Sequence, residues 1–344
     1  CAVTDKYVRA RTALENGADI IIELPVIFSC ASAENFARAA VTLLDFAGCE
    51  FISFGTDEPK EVVFSAAQSV ADEPPAFKRE LIKNIKQGLS FAESRSNAFF
   101  AATGVCLPKS PNAVLGVEYL KALRKINSNM KPLLIPRIGA AHDSTCHYGE
   151  FASASEIRRA ALRGDWDFVQ SFAPLSTVIA LKQTRLITLN DFSLLLSREL
   201  LRGETYLSGI SGISGGLEYR FIKADKTYCS FSEILRTAKT KYYSEGRIRR
   251  AAMNTVLGIT KEFVAKYPYP NYIRIIGFRK NRQSVLKQII NNAPVPVITG
   301  ARHSFAENSP QYELFKFGVF ASELYYVVSG SPKSEFSFHP PFGV

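Results

Sequence analysis

The sequence contains no long apolar run. A membrane-spanning helix needs roughly eighteen or more consecutive apolar residues. The most apolar early stretch, Asp19 to Phe28, is broken by Glu23 and Pro25, so no such span is expected. No signal peptide is visible, and the sequence opens at Cys1 rather than at a methionine; the expectation is that the native start lies upstream. Internal repeats and long low-complexity tracts are absent too, which excludes solenoid and fibrous architectures.

Paired cysteines are missing. The six cysteines (Cys1, Cys30, Cys49, Cys106, Cys146 and Cys229) are widely scattered, with no C-x-x-C pair among them. In a chain of this size that is no disulfide framework, and the four histidines do not complete a zinc pattern with them. Reduced, mostly buried thiols and a cytoplasmic location are expected, with no protein-held metal.

What is present is length and positive charge. At 344 residues the chain suits two domains, and the reading divides it into residues 1–174 and 175–344. Forty-two Lys and Arg stand against thirty-two acidic residues, for a net charge of +10. Such a field attracts polyanions, nucleic acid above all, although many basic proteins bind none.

The first half alternates helix and strand. Tyr7 to Asn16 reads as a helix ended by Gly17. Asp19 to Leu24, with three consecutive isoleucines, reads as a buried strand of the parallel-sheet kind. A helix from Ala31 to Ala47 and a strand from Phe51 to Phe54 follow, the strand stopping at Gly55-Thr56-Asp57. Short turns between such units predict a doubly wound, Rossmann-like parallel sheet. Pro74-Pro75 and Ser110-Pro111 open further helices, Lys131 to Arg137 reads as a strand, and Gly139 to Gly149 as a polar loop. Ser153-Ala154-Ser155-Glu156 has the form of a capping box. The second half reads as mainly helical, with a flexible break at Gly209 to Gly216. A small α/β element follows: strands Tyr272 to Gly277 and Val295 to Thr299 around a helix from Lys280 to Asn292. A helix from Pro310 to Val328 closes the reading, and the tail from Ser329 is expected to be irregular.

In an open parallel sheet, ligands bind beyond the carboxyl ends of the strands. Gly55 follows one strand, where a glycine lets a flat ring or ribose approach the backbone. Arg137 ends another. The helix opening at Ser153 offers free amides and the hydroxyls of Ser153 and Ser155, with Arg158 one turn on; amides, helix dipole and guanidinium together favour a phosphate. Each feature also has a structural reading. A glycine after a strand is usually a turn, a capping box usually only caps, and arginines on a helix are usually a solvated face. In the second half, Arg236, Lys239, Lys241, Arg247, Arg249 and Arg250 fall within fifteen residues, interleaved with Tyr242 and Tyr243. Charges there could meet phosphates while a tyrosine stacks on a base; the alternative is a solvated helical face with core tyrosines.

Several runs resemble the tRNA(Met) cytidine acetate ligases, a family of HxGH-type nucleotidyltransferases. They are Asn16 to Pro25 (NGADIIIELP), Gly88 to Phe91 (GLSF), Ser110 to Leu123 (SPNAVLGVEYLKAL) and Ser153 to Arg158 (SASEIR). Gly216-Leu217-Glu218, Lys239 to Tyr243 (KTKYY) and Tyr272 to Phe278 (YIRIIGF) continue the series in family order over most of the chain. The resemblance implies a Rossmann-like nucleotidyltransferase domain followed by a basic, mainly helical tRNA-binding domain. It implies an enzyme that activates acetate with ATP as acetyl-adenylate and acetylates the exocyclic amine of the wobble cytidine of elongator tRNA(Met), with Mg2+ accompanying ATP. Gly55, Asn112 and Arg137 match family positions that contact ATP, and Ser153, Ser155 and Arg158 resemble its serine-rich phosphate motif. Lys6, Arg9, His142 and Asp143 are secondary candidates, His142 and Asp143 as a pair near the nucleotide or, equally, as a loop histidine with a local hydrogen bond.

The sequence departs from the family pattern at three points. It begins at the segment Asp5 to Ala10, so the first strand and HxGH loop are expected upstream, and the 344 residues alone are expected to adenylate poorly. Ala113 stands where a second asparagine is common, and Gly139 to Asp143 is shorter than the usual loop. Two other readings stay open: a small-molecule nucleotidyltransferase, against which the basic second half argues, and a catalytically silent RNA-binding relative.

Overall fold

The computed structural model describes residues 2–71, 75–89, 91–108, 110–138, 151–240, 243–300, 305–337 and 342–343. Its strands are β1 (Ile20–Ile22), β2 (Phe51–Thr56), β3 (Lys131–Pro136), β4 (Ile273–Phe278), β5 (Val297–Ile298) and β6 (Phe342–Gly343), set among many helices. β2 and β3 are parallel, with Gly55 opposite Ile135 and Thr56 opposite Pro136. β4 is parallel to β5 and β6. The expected mixed α/β fold with parallel elements is present.

Local chemistry explains the elements that carry the cleft described below. Ser110 Oγ accepts from the amide of Ala113 at 3.2 Å, and Pro111 occupies the first turn, so the helix Pro111–Lys125 starts where expected. Its Ala113, Val117, Leu120 and Leu123 recur every three or four residues and are buried with Ile52 of β2 and with Val63, Ala66 and Ala67. Gly116 is required for this contact: a Cβ there would lie 2.9 Å from Phe54 Cε2 and 3.3 Å from Val63. The helix is therefore drawn tightly onto β2, and its first turn sits beside the carboxyl ends of β2 and β3.

Four expectations are corrected. β1 is not part of a parallel pair; it runs antiparallel to β4, with a register shift between Ile21 and Ile22. Ile20 and Ile22 pack with Leu43, Ile273, Ile275 and Ile289, while Ile21 packs with Tyr7, Ala10 and Ile276. The isoleucine run reported cover on both faces, which antiparallel pairing supplies equally well.

The glycine-rich stretch 209–216 is not a flexible break. Ile210 and Ile213 are fully buried, Ser211 donates its amide to Ile259 O at 2.8 Å, and Asn254 Nδ2 donates to Ser211 O at 2.9 Å. Gly212 lies where a Cβ would be 3.5 Å from the Ala251 backbone, and its φ of +89° favours glycine. Gly212 and Gly215 serve close packing, a Cβ on Gly215 falling 2.5 Å from Tyr243 Oη.

The tail is only partly irregular. It forms a short 3₁₀ turn, Glu335–Ser337, and β6. Glu335 is fully buried: it accepts from Tyr7 Oη at 2.9 Å and pairs with Lys6 at 2.8 Å and with Arg274. Glu23 completes the network, 2.6 Å from Lys6 and 3.0 Å from Arg274. Two cations face two anions, so the buried charge is balanced.

The thiols are not mostly buried. Cys30 and Cys49 are half-buried, whereas Cys106 and Cys229, in the connections before later helices, are exposed. Cys1 and Cys146 lie outside the described residues. Among the described residues no helix is long and apolar enough to cross a membrane, and no group of three or more His, Cys, Asp or Glu is placed to hold a metal.

Candidate nucleotide site

At the carboxyl ends of β2 and β3 lies a cleft of about 340 Å³. Phe54, Gly55, Leu115, Tyr119, Ile135 and Pro136 form its walls, and Asn112 and Arg137 reach it with polar groups. Three of the residues singled out in the sequence, Gly55, Asn112 and Arg137, thus converge here from two strands and one helix. Arg137 is placed by its own backbone, whose amide donates to Thr56 O at 2.9 Å. Apolar walls with a few placed polar groups are the usual make-up of a small-molecule site.

Gly55 has no structural reason to be glycine. It is not among the residues of positive φ, and a Cβ built on it would meet only Ile135 O, at 3.9 Å. The space in front of it is open cleft. At Gly116, by contrast, the neighbouring protein occupies the space.

Asp57, which the sequence reading treated only as the end of a strand, ties the polar groups together. Asn112 Nδ2 donates to its two carboxylate oxygens at 3.2 and 3.1 Å, and Arg137 Nε lies 3.6 Å from Oδ1. Tyr119 was also missed. It follows Asn112 by seven residues, two helical turns, and so shares its face; its ring lies 5.1 Å from that of Phe54, and burial pushes its hydroxyl pKa up.

The other described candidates are not among the residues that line this cleft. Ser153 Oγ caps the helix Ala154–Arg163, accepting from Glu156 N at 3.1 Å, the forward half of the expected capping box. Glu156 Oε2 is buried without a hydrogen-bond partner among the described residues. Arg158 is exposed and donates to Ser155 Oγ at 3.0 Å. None of Ser153, Ser155 and Arg158 is among the residues lining the cleft. Lys6 is held by Glu23 and Glu335, and Arg9 is exposed on the helix Lys6–Glu15. His142 and Asp143 lie outside the described residues.

Comparison with known proteins bears on this arrangement. The family model described as HIGH Nucleotidyl Transferase matches residues 1–337. The tRNA(Met) cytidine acetate ligase of Caldanaerobacter subterraneus subsp. tengcongensis is 35% identical over 335 residues, covering 94% of this chain and 83% of the relative. The chain belongs to this ligase family. Among solved structures, apo Thermotoga maritima TmcAL superposes with a TM-score of 0.89 at 30% identity, over 98% of this chain and 88% of that one. TmcAL bound with alpha-thio ATP gives a TM-score of 0.87 at 30% identity, over 99% and 88%.

The second half of this family member carries the basic segment. Arg236, Lys239 and Arg249 are exposed, and each has an acidic neighbour: Glu233 at 2.7 Å from Arg236, and Glu245 at 3.7 Å from Lys239 and 2.8 Å from Arg249. Arg247 stacks 4.8 Å from the Tyr243 ring centroid and donates to Ser214 Oγ at 2.7 Å. Tyr243 Oη donates to Ser214 O at 3.3 Å and also to Gly215 O, which fastens the glycine-rich stretch to the segment just before the helix Glu245–Leu257. Arg250 is half-buried, and burial holds its guanidinium pKa below the usual arginine value. Its side chain is therefore a poorer surface contact than its neighbours. Lys241 and Tyr242 lie outside the described residues.

Proposed function

We propose that this protein activates acetate with ATP as acetyl-adenylate and transfers the acetyl group to the exocyclic amine of the wobble cytidine of elongator tRNA(Met). The carrying observation is the cleft, where Gly55, Asn112 and Arg137 meet at the carboxyl ends of parallel strands and Gly55 leaves open space that the fold does not use. The likeness to ligases of this name and to a solved relative holding an ATP analogue supports the same reading.

In the first step a carboxylate oxygen of acetate attacks the α-phosphorus and the bond to the β-phosphate oxygen breaks, releasing pyrophosphate. Negative charge grows on the phosphoryl oxygens and the leaving group, so a guanidinium at the cleft mouth lowers the barrier without covalent help from the protein. In the second step the cytidine amine attacks the acyl carbon, loses a proton and displaces AMP. Single-stranded anticodon bases can unstack to present that amine. Ser153, Ser155 and Arg158 are assigned to the phosphates on the far side of the nucleotide, and Mg2+ enters with ATP.

Residues 1–174 form the catalytic part in this reading and residues 175–344 the tRNA-binding part. Arg236, Lys239, Lys241, Arg247 and Arg249 meet phosphates, and Tyr242 is available for stacking. Such a reaction on tRNA belongs in the cytoplasm. The test is acetate-dependent exchange of labelled pyrophosphate into ATP by the full-length protein. Arg137→Ala is expected to abolish exchange and leave tRNA binding intact; loss of both together would contradict the division of roles.

A further inference from the structure

The cleft contains a device that bears on which nucleotide it accepts, and the inference rests on reading the cleft as the nucleotide site. Asn112 turns its amide nitrogen to both oxygens of Asp57, at 3.2 and 3.1 Å. An ionised carboxylate can only accept hydrogen bonds, whereas an amide has a donor end and an acceptor end. The orientation is therefore dictated by charge: Nδ2 must face Asp57, because Oδ1 there would set three oxygens against one another. Oδ1 is then the remaining polar atom of the side chain, and it accepts no hydrogen bond among the described residues. Arg137 reinforces the arrangement, its Nε lying 3.6 Å from Asp57 Oδ1 and helping to hold that side chain in place.

We propose that Asp57 is the positioning residue of the cleft and that, through it, Asn112 offers an acceptor that selects a purine bearing an amino group at C6 over a 6-oxo purine. The 6-amino group of adenine is a donor and can meet Oδ1. The 6-oxo group of hypoxanthine or guanine is an acceptor and would repel it. Such a base could offer N1–H instead only by sliding along the wall formed by Phe54 and Tyr119, whose rings pack against each other. A site built to hydrogen-bond one group rejects the analogue that leaves its partner unpaired. Asp57 need not touch the base; it sets the polarity of the residue that does.

Calorimetric titration of the full-length protein with ATP and with inosine triphosphate, which differs in carrying a 6-oxo purine, tests the proposal. Wild type is expected to bind ATP about tenfold more tightly, the value of roughly one hydrogen bond. Asp57→Asn replaces the acceptor by an amide that can donate to Asn112 Oδ1 and let the side chain turn over, so the preference should fall to about twofold or less. Asn112→Ala should abolish it likewise. Asp57→Glu, which keeps the carboxylate, should retain more of it than Asp57→Asn does. Thermal unfolding checks the fold of each variant; should Asp57→Asn not fold, Asn112→Ala decides the matter, since Asn112 is not part of the buried core. Equal affinities of wild type for the two nucleotides, or a preference unchanged in Asp57→Asn or Asn112→Ala, overturns the proposal while ATP binding itself stands. An equal loss of affinity for both nucleotides with their ratio kept overturns it as well, and reduces Asp57 to a structural support. Failure of wild type to bind ATP at all removes the functional reading and this inference with it.

Discussion

Two glycines beside the same cleft should respond to substitution in opposite ways. At Gly55 a Cβ meets only Ile135 O at 3.9 Å, and the backbone is not in the positive-φ region. Gly55→Ala should therefore leave stability unchanged or raise it by about 0.5–1 kcal/mol, the usual gain on removing a strand glycine. At Gly116 the added carbon lies 2.9 Å from Phe54 Cε2 and 3.3 Å from Val63. Overpacking of this kind costs about 1–3 kcal/mol, and the gain in helix propensity returns only about 1 kcal/mol. Gly116→Ala should thus lose roughly 1 kcal/mol. Binding should follow the reverse order. Gly55→Val projects two methyl groups into a cleft of about 340 Å³, where a flat ring would otherwise rest on the backbone, and ATP affinity should fall at least about tenfold. Urea denaturation and calorimetric titration of the same samples separate the two quantities. Should Gly55→Val bind ATP as wild type does, or Gly55→Ala destabilise as much as Gly116→Ala, the argument from the unused space at Gly55 is wrong.

The combined change Lys239→Ala, Lys241→Ala and Arg247→Ala should weaken tRNA binding and flatten its dependence on salt concentration, while acetate-dependent exchange persists; filter binding across a salt series checks both. Glu335→Gln should cost about 3 kcal/mol in urea denaturation, because Lys6 and Arg274 would remain buried with one anion fewer. Burial pushes the Glu335 carboxyl pKa up, but the charges of Lys6 and Arg274 outweigh it and hold the pKa below the ordinary glutamate value. Its contribution is therefore complete above about pH 4.3 and is lost as the pH falls below that toward the folded-state pKa. Glu335→Gln should lack that share of the acid sensitivity.

What the sequence disclosed, and what it withheld, follows the range of the forces involved. Helix starts were legible because a cap acts within one turn: Ser110 and Ser153 each accept from an amide three residues on. β3 was legible from its apolar run; β2 was legible too, but it runs on through Gly55 to Thr56 instead of stopping at the glycine. The antiparallel pairing of β1 with β4 was not, because the partners are some 250 residues apart in the chain and an isoleucine run is the same in either direction. Glu335 was hidden for a related reason, since nothing near it in sequence announces Tyr7, Lys6 or Arg274 as its partners. The glycine-rich stretch misled because composition reports freedom of the backbone, while the buried Ile210 and Ile213 decide whether that freedom is used.

Asp57 shows where residue-by-residue reading of a site stops. Gly55, Asn112 and Arg137 were found singly, by position after a strand or by resemblance, and each was treated as a contact to be made with a ligand. The carboxylate that joins two of them was passed over as part of a turn, although a charged side chain at the carboxyl end of a parallel strand stands where ligands bind. A polar group in such a place has to be considered with its partners, because an amide presents either a donor or an acceptor depending on what holds its other end. The identity of Asn112 leaves the polarity of the cleft undecided; the Asn112–Asp57 pair decides it, and that pairing exists only once β2 and the helix Pro111–Lys125 are packed together.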